Sequence, residues 1–187
     1  MNYFILTQDK RLLHAVEPIG IAQVIKREQL TVERMEELDA IDRQFPLVQK
    51  KHHDYIDFIE RPVALFSDAF KQLLEKYEPS LPRKPVILAD IQNMKQTPYW
   101  LIIPPKVACL APETQFHLDG SVKKLVLDEV LAAPYPFFQI EGIHENYFVL
   151  NIELAESILR RGFRGLYLQK VETIGRWQQL LPITKED

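Results

Sequence analysis

The sequence predicts an α+β fold built on a mixed, mostly antiparallel sheet with two or three helices. Three observations predict it. Short runs rich in β-branched and aromatic residues outnumber helical runs along the 187 residues. Strands and helices do not alternate regularly, as a parallel α/β sheet would require. A strand–helix–strand phrase also occurs twice with one internal spacing, at residues 63–91 and again at 147–171. Aligning Ser67 with Asn151 superposes Phe70 on Leu154 and Leu74 on Ile158, the pattern of an internal strand–helix–strand duplication.

The elements follow in order. Residues 3–7 read as a buried first strand and residues 20–26 as a second. Thr31 is placed to cap a short acidic helix. Residues 45–57 are irregular and polar. The first copy of the phrase then runs through a strand at 63–66 and a helix from Ser67 to Tyr77, whose Phe70, Leu73, Leu74 and Tyr77 fall at helical spacing. Pro79, Pro82 and Pro85 punctuate its exit, so the chain reads as one domain over 1–187 or as two packed halves, 1–80 and 84–187.

Residues 86–89 and 99–103 are strands, with Pro104 and Pro105 ending the second. Residues 107–110 form a short apolar run, Asp119-Gly120 marks a turn, and 122–127 should be a strand. Residues 137–140 and 147–150 are strands leading to the second helix, 151–161. Gly162 is placed as its left-handed C-cap, and a last strand follows at 165–171. The charged tail after Pro182 reads as frayed.

Bulk composition narrows the function. With 23 basic and 26 acidic residues the net charge is −3, which argues against a nucleic-acid binder that relies on overall phosphate attraction. Cys109 is the only cysteine, so no internal disulfide framework exists and a reducing compartment is favoured. No run approaches the roughly 20 apolar residues that span a bilayer. The N-terminal apolar stretch is too short for a signal peptide. The expectation is a cytoplasmic protein with no nucleic-acid or membrane partner.

Local chemistry is sparse. Gly162 and Gly165 follow a helix, the wrong polarity for phosphate binding at a helix N-terminus. His52, His53 and Asp54 are the only hint of a metal set, but adjacent strand residues point to opposite faces. His117 with Asp119 and His144 with Glu145 read as turn residues. Cys109 sits in an apolar run that hides its thiol, and Ser67 and Ser157 lie on helices without a nucleophile elbow. Arg160, Arg161 and Arg164 complement the negative end of the second helix. No catalytic residue, cofactor-binding residue or metal ligand is nominated. The acidic segment is the one candidate partner-binding surface: Glu33, Glu36, Glu37, Asp39 and Asp42, interleaved with Met35, Leu38 and Ile41.

Several phrases resemble a family. Asp57-Phe58 followed by Ala64-Leu65-Phe66-Ser67-Asp68, and the helix ending Leu73-Leu74-Glu75, are similar to immunity proteins of bacterial polymorphic toxin systems, a group first catalogued as a domain of unknown function. So are Pro85-Val86, the strand at 99–103, Leu125-Val126-Leu127-Asp128 and Phe137-Phe138-Gln139-Ile140. The ending Leu159-Arg160-Arg161-Gly162-Phe163-Arg164-Gly165-Leu166-Tyr167 is the closest of these likenesses, and the resemblance spans roughly residues 55–172. It implies a non-enzymatic antitoxin that neutralises a cognate toxin by direct association. Two alternatives stay open: an enzyme with a pocket between the two halves, using polar groups from 52–54 and 144–145, and a regulatory or structural module that self-associates, as a homodimer, through a strand edge.

Overall fold

The structure is a computed structural model that describes residues 2–175; the charged tail after Pro182 lies outside them. In chain order the elements are β1 (Tyr3–Gln8), the single turn α1 (Ile21–Val24), β2 (Gln44–Pro46), β3 (Phe58–Ile59), β4 (Leu65–Ser67), α2 (Asp68–Tyr77), β5 (Arg83–Asp90), β6 (Lys95–Ile102) and β7 (Lys106–Val107). They continue as β8 (Gln115–Phe116), β9 (Val122–Lys124), β10 (Val126–Asp128), α3 (Glu129–Ala132), β11 (Phe137–Ile140), β12 (Phe148–Asn151), α4 (Ile152–Arg161) and β13 (Leu166–Ile174). Strands pair antiparallel in β1–β12, β11–β12, β3–β4, β4–β6, β5–β6 and β8–β9. They pair parallel in β2–β5, β7–β11 and β10–β13. The fold is α+β with mostly antiparallel sheets. No described helix is long and apolar enough to cross a membrane.

Two units divide the chain. The first comprises residues 7–104 and 159–167, so Pro79, Pro82 and Pro85 are internal to it. Its sheet runs β2-β5-β6-β4-β3. Period-2 alternation puts Val86 and Leu88 of β5, and Tyr99 and Leu101 of β6, on one face. Ile21, Ile25, Leu38, Phe45 and Leu47 join that core. On α2, Phe70 meets Phe66 at 5.4 Å and Phe163 at 5.3 Å between ring centroids. Ser67 caps α2 as its position predicts, its Oγ accepting the Phe70 N–H at 3.1 Å.

The second unit comprises residues 2–6, 105–158 and 168–175. Its sheet runs β10-β13-β1-β12-β11-β7. Tyr3, Ile5, Val107, Cys109, Leu127, Phe138, Ile140, Val149 and Val171 form one core cluster. Asn151 Oδ1 accepts the Leu154 N–H at 2.9 Å, the same cap position that Ser67 fills on α2.

The two phrases align beyond their caps. In the first sheet, β4 and β5 flank β6, with β3 outside β4 and β2 parallel to β5. In the second, β12 and β13 flank β1, with β11 outside β12 and β10 parallel to β13. Each helix, α2 or α4, has ten residues and joins the two flanking strands, a split βαβ arrangement. The strand order is therefore repeated, with the N-terminal β1 taking in the second sheet the place that β6 takes in the first.

One expected strand is absent. Residues 20–26 form the turn α1 instead, because Ile21 and Ile25 are four apart and both buried, and the Ile25 N–H bonds the Ile21 carbonyl at 2.8 Å. Helical spacing of two core contacts overrides the β-branched composition. The acidic helix starts later than Thr31 and is a 3-10 turn, Met35–Ala40. The strand expected at 122–127 is broken into β9 and β10.

Candidate functional site

The acidic segment is anchored from below. Leu38 is fully buried in the first unit, with Met35 and Ile41 packed against the same core. Glu33, Glu36, Glu37, Asp39 and Asp42 are all exposed, so all five nominated residues share an ordered surface segment, with Val32 exposed beside them. Part of this charge is used internally. Arg34 donates to Glu37 at 2.7 and 2.9 Å, which holds the Glu37 carboxyl below the usual range. Lys84 donates to both Asp39 oxygens at 2.6 Å, with Arg43 at 3.3 Å, and the Asp39 carboxyl is lowered likewise. Asp42 Oδ1 accepts the Gln44 N–H at 3.0 Å.

A second polar cluster was not legible as a unit in the sequence. The alternation that buries Val86 and Leu88 places Asp90 next on the same face, where it is 2% exposed. Its carboxylate accepts the Asn93 side-chain N–H at 2.8 Å, the Asn93 backbone N–H at 3.1 Å and the His53 Nδ1–H at 2.8 Å. The Asn93 side chain first, then its backbone N–H and His53, hold Asp90 down at about 2 against the opposing effect of burial. Lys95, the cross-strand partner of Asp90, sets its ammonium 3.8 Å from the Tyr55 ring centroid. The available signal was the register Val86–Leu88–Asp90, an acid where a core residue belongs.

The His53–Asp90 pair looks like a catalytic base with its orienting acid. Its ring is not available for that role. The His53 side chain is 4% exposed, and Nε2 lies 3.1 Å from the Val48 carbonyl and 3.3 Å from the Lys50 nitrogen. His52 turns the other way, its ring 6.5 Å from that of His14, and the Asp54 N–H bonds the His14 carbonyl. Residues 52–54 form a bend and an isolated bridge, not a strand, and the His52 and His53 rings take separate partners.

Several other groups weighed for chemistry have local partners. Asp119 accepts from both the N–H and hydroxyl of Ser121 in the β8–β9 turn. Glu145 Oε1 accepts the Val122 N–H at 2.8 Å. Burial pushes the Cys109 thiol up to about 11. The Arg164 N–H donates to Asp57. Among the described residues no group of three or more His, Cys, Asp or Glu side chains is arranged to hold a metal ion. The chain matches no protein-family model and no curated protein sequence.

Proposed function

We propose that this protein acts by binding another protein, as a cytoplasmic antitoxin-like immunity protein that occludes a cognate toxin. The single observation that supports the reading is the acidic segment: five carboxylate residues exposed on a stretch whose apolar side is fixed in the core by Leu38. A fixed acidic surface needs no ordering on binding and steers a basic partner through solvent, where such fields raise association rates by about 10- to 1,000-fold. The toxin itself comes from the family resemblance of residues 55–172.

The partner surface on the toxin is basic, and Glu33, Glu36 and Asp42 face it. Glu37 and Asp39 contribute less than Glu36 because Arg34, Arg43 and Lys84 already hold them. The test is a pulldown from the native host at low and high salt, followed by association kinetics with the captured protein. The expected partner is released by salt, is toxic when expressed alone, and associates roughly tenfold more slowly with a Glu33→Gln/Glu36→Gln/Asp42→Asn variant. A partner whose association ignores both salt and these substitutions removes the acidic surface from the mechanism. A partner that is harmless when expressed alone removes the antitoxin reading.

A further inference from the structure

We propose that His53 is a proton-operated switch on the backbone of residues 48–50. Its Nε2 has two backbone neighbours that demand opposite protonation states. The Val48 carbonyl, at 3.1 Å, can only accept, so it needs an N–H on Nε2. The Lys50 N–H, at 3.3 Å, can only donate, so it needs a lone pair there. One ring nitrogen cannot serve both.

The other ring nitrogen fixes the tautomer. Nδ1 faces Asp90 Oδ2 at 2.8 Å, on a carboxylate that already accepts two N–H groups from Asn93. An anion held this way accepts from Nδ1–H whether the imidazole is neutral or cationic. A single proton gained or lost at Nε2 therefore exchanges the Lys50 N–H for the Val48 carbonyl as the ring's partner.

Charged and titratable groups surround the ring from several elements. From β5 comes Asp90, in direct contact. Tyr55 lies 6.3 Å away between ring centroids, with its hydroxyl 3.5 Å from Asp90 Oδ2. From β6 comes Lys95, set over the Tyr55 ring. The Lys50 ammonium is turned away, donating to the Ala15 carbonyl at 2.8 Å with Glu17 at 3.5 Å. The hairpin tip is held through Asp90 and Asn93 in both states. The switch acts instead on the 48–53 segment, which carries exposed Lys51 and His52. A proton on Nε2 frees the Lys50 N–H, and its loss frees the Val48 carbonyl.

The test is long-range nitrogen–proton NMR of the ¹⁵N-labelled full chain between pH about 8 and about 5, with amide exchange recorded in parallel. On acidification the His53 Nε2 signal moves from the acceptor to the donor type. The protection factor of the Lys50 amide falls roughly tenfold, the loss of one net hydrogen bond, while that of Asn93 holds. In His53→Gln the Lys50 protection factor is flat across the range. A ring that keeps one state throughout, or a Lys50 protection factor that stays level, overturns the proposal. So does an equal pH response in His53→Gln.

Discussion

The Ser67 hydroxyl donates to Asp57 Oδ1 at 2.6 Å, so the residue that caps α2 is itself held by a carboxylate ten residues upstream. Asp57 Oδ2 accepts the Arg164 N–H at 2.7 Å, and the Asp57 N–H bonds the Arg164 carbonyl at 2.8 Å. One side chain thus joins the start of α2 to the segment after α4 within the first unit.

Replacing Asp57 should therefore cost more than its partial exposure suggests. Asp57→Ala removes two bonds to a charged acceptor and leaves the cap hydroxyl unanchored, a loss of about 2–3 kcal/mol. Asp57→Asn keeps one acceptor oxygen and should cost about half as much. Urea unfolding at neutral pH measures both. An alanine variant no worse than an ordinary surface substitution would show that Asp57 is not the tie.

Gly162 and Gly165 provide an internal comparison. Both have positive φ, 64° and 75°. A Cβ on Gly162 meets nothing within 4 Å, whereas one on Gly165 would lie 2.3 Å from Ile56 Cβ. Gly162→Ala should cost about 1 kcal/mol from left-handed backbone alone. Gly165→Ala adds a clash with a buried side chain, for about 3 kcal/mol or more. Equal costs in thermal unfolding would contradict the close approach.

These particulars show what the sequence could carry. Local signals were readable: Ser67 as a cap, the alignment of Asn151 with it, the apolar stripes of α2 and α4, Gly162 at a left-handed stop. The repeated phrase was readable because the cap and stripe lie within one short window. The shared strand order was not, since β1 stands some 140 residues from β12 in the chain, and no local pattern encodes that pairing. Residues 20–26 misled because Ile and Val favour strands by composition, while the spacing of Ile21 and Ile25 was helical. The acidic segment was legible as charge, but Lys84 and Arg43 as its counter-ions were not, because Lys84 reaches Asp39 across 45 positions. Asp90 escaped notice because its role depends on register, and register was fixed only by β6.

Met94 adopts φ 47° at the tip of the β5–β6 hairpin and is 94% exposed. Left-handed backbone costs a side-chain-bearing residue about 1–2 kcal/mol, and no packing offsets it here. Asparagine tolerates this region, so Met94→Asn should stabilise the protein by about 0.5–1 kcal/mol. The urea midpoint should rise at unchanged slope. A fall would mean that Met94 makes contacts its exposure conceals.

Cys109 is fully buried, and its thiol is pushed up to about 11 by burial. A thiol reagent at pH 8 should therefore label the folded protein at the rate of unfolding, not at the rate for a free thiol. Labelling should become fast in urea beyond the transition. Rapid stoichiometric labelling in native buffer would place the thiol at the surface.

Asp90 gives the protein an acid-side weakness with a defined sign. Its carboxyl is held at about 2, below the ordinary 3.8, chiefly by the Asn93 side chain. A carboxylate lowered in the folded state contributes stability that is fully present above pH about 4 and is lost as pH falls towards 2. Asp90→Asn lacks that contribution at every pH. It should begin less stable at pH 7 and then decline less steeply than the wild type between pH about 4 and about 2, so that the two converge. The difference between their urea midpoints across that window reads the Asp90 carboxylate. Parallel curves that never converge would mean that the cost of the substitution comes from lost packing and not from the ionised carboxylate.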